Sequence, residues 1–192
     1  MTRGATDADA AAIARLHAAR IGEGFLVTLG PAFLRRLYRR IIRSDRAFAL
    51  VAEDSGAIVG FVAVAADTGR LYREFFVRDG IVAGFAALPA MVRRPRHVWE
   101  TVRYGLGGEH DDLPPAEVLA VAVAGSAAGR GIGGDLVAHA LEELDRRDVR
   151  AARVVTAAAN DAARRMYRRC GFRPVARTEV HRGVPQEVLV WP

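Results

Sequence analysis

The sequence contains no lysine. All 28 of its basic residues are arginine. A P-loop of the form G-x-x-x-x-G-K-[ST] needs a lysine, so that class of nucleotide site is excluded. Cysteine is nearly absent as well: Cys170 stands alone, and no intrachain disulfide can form. The five histidines, at 17, 97, 110, 139 and 181, lack metal-ligand spacing, so no metal is expected. No apolar run reaches the length of a membrane span. The opening stretch MTRGATDADAAAIARL is amphipathic and acidic, unlike a secretory signal. These absences lead to the expectation of a cytoplasmic protein with no membrane partner.

What is present is ordinary for a globular chain. It has 192 residues, 51% of them hydrophobic and 26% charged, which fits one domain with a sizeable core. Missing lysine beside abundant alanine points to a GC-rich bacterial genome. The net charge is +6, and many arginines stand in pairs such as Arg39-Arg40 and Arg168-Arg169. They are spread over several segments, as on solvated helix faces. No zinc finger or aromatic RNA-binding signature accompanies them, so nucleic acid is not an expected partner.

Periodicity predicts a helix over Thr6 to Arg20, capped by Thr6 or Asp7, and a second starting at Gly30-Pro31. Ala47 to Glu53 and Ile58 to Ala65 read as a hairpin around Asp54-Ser55-Gly56. Residues 79–105 read as helices broken near Pro95, forming an insertion. Glu117 to Val123 is a buried-strand pattern, and Gly133 to Arg147 is a helix with Leu136, Val137, Ala140, Leu141 and Leu144 on one face. A strand at Ala152 to Thr156, a helix from Asp161 to Cys170 and strands at Phe172 to Val180 and Gln186 to Val190 complete a mixed α/β domain over 1–192.

Between the strand ending at Val123 and the helix from Gly133 lies GRGIGG, Gly129 to Gly134. It matches the dinucleotide fingerprint G-x-G-x-x-G letter for letter. That fingerprint also requires the glycines to follow the strand directly and an acid at the end of the next strand. Here Ala124 to Ala128 intervene, and the next strand ends VVTAAAN with no acid. The dinucleotide reading therefore fails. What survives is the backbone: small residues leave N–H groups exposed at a helix N-terminus, which favours a phosphate or diphosphate.

The ordered combination of strand, glycine-rich turn, helix, strand, then Asn160, Tyr167 seven positions on, and the pair Gly171-Phe172 resembles the GCN5-related N-acetyltransferase (GNAT) family. The family's signature [QR]-x-x-G-x-[GA] aligns with Ala128-Gly129-Arg130-Gly131-Ile132-Gly133. The likeness is strong from Glu117 to Val175 and weaker over the N-terminal helices and hairpin. It implies a mixed central sheet split around an acyl-CoA site, with helices on both faces. The first signature position is Ala128 rather than Gln or Arg, so a side-chain contact is missing that Arg130 is expected to replace in part.

The resemblance implies the roles of particular residues. The backbone of Val121, Ala122 and Val123 would pair with the pantetheine arm of acetyl-CoA, the cosubstrate. A backbone N–H there would polarise the thioester carbonyl. The N–H groups of Gly129, Arg130, Gly131, Ile132, Gly133 and Gly134 would hold the diphosphate, and Asn160 the pantetheine or a bridging water. Tyr167 would protonate the departing thiolate, and Glu117, through water, would take the proton of the attacking amine. Some protein-acetylating members carry a Glu five residues before the Asn; here that position is Val155, which argues against that mechanism. Family habit also implies a homodimer, of which the residues give no sign.

The acceptor is expected to be a small amine. It would be lined from the N-terminal helices, the insertion and the last hairpin by Phe25, Phe33, Tyr38, Tyr72, Phe75, Phe76, Trp99, Tyr104 and His181, unless these simply pack the core. Glu109, His110, Asp111 and Asp112 form a polar loop within reach of such a substrate. Three further readings stay open: an acyl-CoA-binding sensor, favoured by Ala128, an acetyltransferase of protein N-termini or lysines, and a basic nucleic-acid binder, supported by charge alone.

Overall fold

The computed structural model describes residues 1–21, 25–71, 73–74, 113–179 and 185–192. A seven-stranded sheet carries the described residues. The strands are β1 (Thr2–Gly4), β2 (Ala47–Asp54), β3 (Ala57–Ala65), β4 (Glu117–Val123), β5 (Ala152–Ala157), β6 (Arg173–Glu179) and β7 (Pro185–Trp191). The helices are α1 (Ala10–Arg20), α2 (Phe25–Thr28), α3 (Pro31–Arg43), α4 (Ile132–Arg146) and α5 (Asp161–Arg169). Strand order is β1-β2-β3-β4-β5-β7-β6, and every pairing is antiparallel except β4 with β5.

Strand alternation gives the sheet two apolar faces. From β2, Ala47, Ala49 and Val51 face α1 and α3, where they meet Ile13, Leu34, Leu37 and Ile41. Phe48 and Ala52 face the other way, toward α4, with Val62, Val64, Leu136, Val137 and Leu144. Central β3 is buried on both faces from Gly60 to Ala65. The result is a mixed sheet with helices on both sides, as the resemblance implies.

Among the described residues the predicted strands and helices recur, most with ends shifted by a residue or two, and the differences have local causes. The first helix is shorter than predicted. Asp7–Asp9 forms a 3-10 turn, and regular α-helix starts at Ala10. The Asp9 carboxylate accepts from the Thr6 N–H (2.7 Å) and hydroxyl (2.9 Å) and from Arg3 Nη1 (2.7 Å), which tightens that turn. Strand β1 has only three residues, too few for a period, and it pairs along β2 from Thr2↔Ala52 to Gly4↔Leu50. The four-residue helix α2 is likewise too short for its pattern to stand out. No described helix is long and apolar enough to cross a membrane.

Candidate functional site

Strands β4 and β5 are neighbours, yet they pair only at Glu117↔Arg153. The Glu117 carboxylate holds Arg153 across that junction, its Oε2 accepting from Nε at 3.0 Å and lying 3.0 Å from Nη2. β5 is meanwhile paired along its whole length with β7. Beyond the junction the two strands part, and β4 has a free edge. The Ala124 N–H donates to Val59 O on β3 at 2.7 Å. Alternation therefore turns the backbone groups of Ala122 to β3 and those of Val121 and Val123 to the open side. A bulge at Leu119, between the pairs Ala63↔Ala120 and Val64↔Val118, bends β4 at the closed end of the fork.

The open side is a cleft of about 670 Å³. Val121, Ala122 and Val123 form one wall, the loop residues Ala127, Ala128, Gly129, Gly131, Ile132, Gly133 and Gly134 its end, and Ala162, Ala163, Met166 and Tyr167 of α5 the other wall. The end is built for an anion. Gly131 caps α4 with φ 81°, a left-handed conformation that favours glycine, and no side chain caps the helix. The first intrahelical bond runs from the Asp135 N–H to Gly131 O at 3.1 Å. The N–H groups of Ile132, Gly133 and Gly134 precede it, so they lack intrahelical acceptors, and the positive end of the helix dipole lies with them. Gly133 also lets the walls approach: a Cβ there would stand 3.0 Å from Met166 Sδ.

Tyr167 owes its place to the end of α5. The Gly171 N–H bonds Arg168 O and the Phe172 N–H bonds Tyr167 O, both at 3.1 Å, a Schellman motif that Gly171 completes at φ 94°. The chain then folds Phe172 back edge-to-face on Tyr167, with ring centroids 5.5 Å apart. From the other side, buried Glu187 of β7 anchors α5 through Arg164 (2.8 Å) and Arg168 (3.4 Å). These two guanidiniums hold the Glu187 carboxyl below its usual range, the Arg164 hydrogen bond being the larger cause. The Tyr167 ring is buried, which pushes its hydroxyl well above the usual phenol range. The hydroxyl has no hydrogen bond among the described residues. No described buried polar side-chain atom lacks a partner, so this oxygen faces the cleft.

The structure thus brings the β4 edge, the glycine loop and Tyr167 around one cavity. Other expected residues stand elsewhere. Arg130 is not among the cleft's lining residues, and its Nη1 donates to Asp54 Oδ2 at the end of β2 at 2.7 Å. Asn160 caps α5, its Oδ1 accepting from the Ala163 N–H at 3.1 Å, and its side-chain NH₂ group remains unbonded among the described residues. Glu117 sits at the fork's closed end. Its Oε2 is committed to Arg153 and within 3.4 Å of Thr68 Oγ1, while its Oε1 has no bond among the described residues.

Phe33 and Tyr38, expected near an acceptor, are core residues instead. The Tyr38 hydroxyl meets buried His17 Nδ1 at 2.5 Å, and burial lowers the His17 pKa and raises that of Tyr38. Tyr72, Phe75, Phe76, His97, Trp99, Tyr104, Glu109, His110, Asp111, Asp112, His181 and the insertion at 79–105 lie outside the described residues. Sequence reasoning missed Arg20 and Arg169, which also line the cleft, together with Asp135. Arg20 ends a helix far from the loop in sequence, and no local pattern distinguishes it from other surface arginines. Among the described residues, no cluster of His, Cys, Asp or Glu is placed to hold a metal ion.

Comparison with known proteins agrees with this geometry. No curated protein matches the chain. Its fold is shared by solved structures of low sequence identity. SsHAT superposes with a TM-score of 0.72 at 22% identity, covering 99% of this chain and 96% of that one. A GCN5-related N-acetyltransferase from Kribbella flavida gives 0.67 at 19%, covering 100% and 96%. A ribosomal-protein-alanine N-acetyltransferase from Brucella melitensis gives 0.64 at 20%, covering 99% and 98%. The model of the acetyltransferase (GNAT) family matches residues 18–172, which span α2 to α5, the fork, the loop and Tyr167. The chain belongs to the GNAT acetyltransferase family.

Proposed function

We propose that the protein transfers the acetyl group of acetyl-CoA directly to a primary amine of a small acceptor, both substrates being bound together. The observation that carries this reading is the fork: a free β4 edge that leads into a cradle of unpaired N–H groups, with a tyrosine hydroxyl on the facing wall. A long, flexible amide-containing arm ending in a diphosphate fits that succession. The arm adds to β4 through Val121 and Val123, as an extended strand would. The diphosphate meets the N–H groups at the start of α4. Val121, Val123, Gly131, Ile132, Gly133, Gly134 and Tyr167 are the residues we assign to acetyl-CoA, with the Asn160 NH₂ group at the mouth.

The chemistry needs a carbon–nitrogen bond formed, a carbon–sulfur bond broken and two protons moved. A β4 N–H polarises the thioester carbonyl as negative charge develops on its oxygen. The Tyr167 hydroxyl, protonated at neutral pH as a phenol is, gives its proton to the leaving thiolate. We assign the amine's proton to Glu117, through water, at its unbonded Oε1. Arg153 fixes that carboxylate in place.

The test is a thiol-release assay with acetyl-CoA against amino sugars, aminoglycosides, polyamines, amino acids and peptide N-termini. The expected result is thiol release that depends on a small amine. Turnover confined to peptide N-termini overturns the acceptor class and leaves acetyl transfer standing. Ala128 favours one alternative, an acyl-CoA sensor. Acetyl-CoA binding with no turnover on any amine would establish it.

A further inference from the structure

The signature side chain at the start of the loop is missing, since Ala128 stands there, and Arg130 is turned to Asp54. Two other arginines, Arg20 and Arg169, line the cleft. Arg20, in the last turn of α1, lines the cleft, and its Nη1 comes within 3.8 Å of where a Cβ on Gly125 would stand. Gly125 opens the short 3-10 turn Gly125–Ala127 that leads from β4 to Ala128. A residue of α1 thus reaches the turn that leads into the loop, three residues before Ala128.

Arg20 has no hydrogen bond or ion pair with any described residue. Arg3, Arg130, Arg147, Arg153 and Arg164 each hold a carboxylate, whereas the two exposed arginines that line the cleft, Arg20 and Arg169, hold none among the described residues. Here an unpaired guanidinium borders a cavity whose end presents unpaired backbone N–H donors and the positive pole of α4. Among the described residues, Asp135 is the one carboxylate that lines the cleft with these positive groups. A doubly charged diphosphate would satisfy all of them at once, and the guanidinium's planar fork suits phosphate oxygens.

The geometry points to Arg20 as the side-chain anchor of the acetyl-CoA diphosphate, supplied from α1 in place of the contact that Ala128 cannot make. This assignment rests on the reading of the cleft as an acetyl-CoA site.

The experiment is calorimetric titration of wild type, Arg20→Ala, Arg20→Lys and Arg15→Ala with CoA and with dephospho-CoA, which keeps the diphosphate and lacks the ribose 3′-phosphate. Arg15 is exposed on the same helix and does not line the cleft, so its variant reports on general charge and helix effects. Losing a charge-assisted contact predicts that Arg20→Ala weakens both ligands about 10- to 100-fold and by the same factor. Arg20→Lys should recover part of the loss, and Arg15→Ala should bind as wild type. Equal affinity of Arg20→Ala and wild type overturns the assignment while leaving the acetyl-CoA reading intact. A loss seen with CoA alone moves Arg20 to the 3′-phosphate and overturns the diphosphate role. Wild type that binds neither ligand overturns the acetyl-CoA reading and this one with it.

Discussion

At the scale of single residues, Tyr167 is the side chain whose surroundings say most about its task. Its ring is held by Phe172 and its helix by Glu187, while its hydroxyl is left for the cleft. Burial raises its pKa, so the hydroxyl starts out protonated, as an ordinary phenol also does at neutral pH. Tyr167→Phe removes one oxygen and keeps the edge-to-face packing. It should lower kcat about 10²- to 10⁴-fold, the range for a positioned general acid, with acetyl-CoA affinity unchanged. Steady-state kinetics beside calorimetry reads both quantities, and an unaltered kcat removes Tyr167 from the chemistry. Cys170 has no such task. Burial raises its thiol, and its Sγ lies 3.7 Å from Gly134 O in the packing between α4 and α5.

At the scale of elements, the site depends on how closely α4 lies against the sheet. Gly60 of β3 makes that approach possible: a Cβ there would stand 3.0 Å from Leu136 Cδ1 and 3.2 Å from Ile132 Cγ2. Leu136 is fully buried, and Ile132 belongs to the loop end of the cleft, so neither yields freely. Gly60→Ala should cost about 1–3 kcal/mol, as overpacking does, and should weaken acetyl-CoA binding by tilting the start of α4. Urea denaturation checks the first effect; equal or greater stability contradicts this account of the packing. The elements that meet here were legible in the sequence because their signals are local. Alternating residues mark β4, and the spacing of Leu136, Val137, Ala140, Leu141 and Leu144 marks α4. The glycines between them mark the loop. What was not legible joins distant parts of the chain: Arg20 reaching the loop, Arg130 diverted to Asp54, and Glu117 engaged by Arg153. No periodicity encodes which surface arginine meets which carboxylate.

At the scale of the whole molecule, the fold's response to acid follows from its buried groups. His17 is buried against Tyr38 and Phe61, and its pKa lies below the usual 6.5. The unfolded chain therefore takes up a proton that the folded one refuses. Stability from this site is full above about pH 6.5 and declines as pH falls through the folded value. Asp9 and Glu187, both held low by arginines, act in the same direction at lower pH: their contribution is present above the ordinary carboxylate range and is lost below it. Urea midpoints measured at pH 7.5 and 5.5 should show the lower value at pH 5.5, with a smaller difference in His17→Phe. A midpoint that rises on acidification contradicts this picture of the core.

The same overall architecture, two apolar faces around a sheet that parts between β4 and β5, is what gives the cleft its shape and lets a single ligand touch α1, β4, α4 and α5. The central claim is that this ligand is acetyl-CoA. Calorimetric titration of the full chain with acetyl-CoA, and separately with NAD, tests it most directly. The account predicts one acetyl-CoA bound per chain and no binding of NAD; no binding of acetyl-CoA, or binding of NAD in its place, would contradict it.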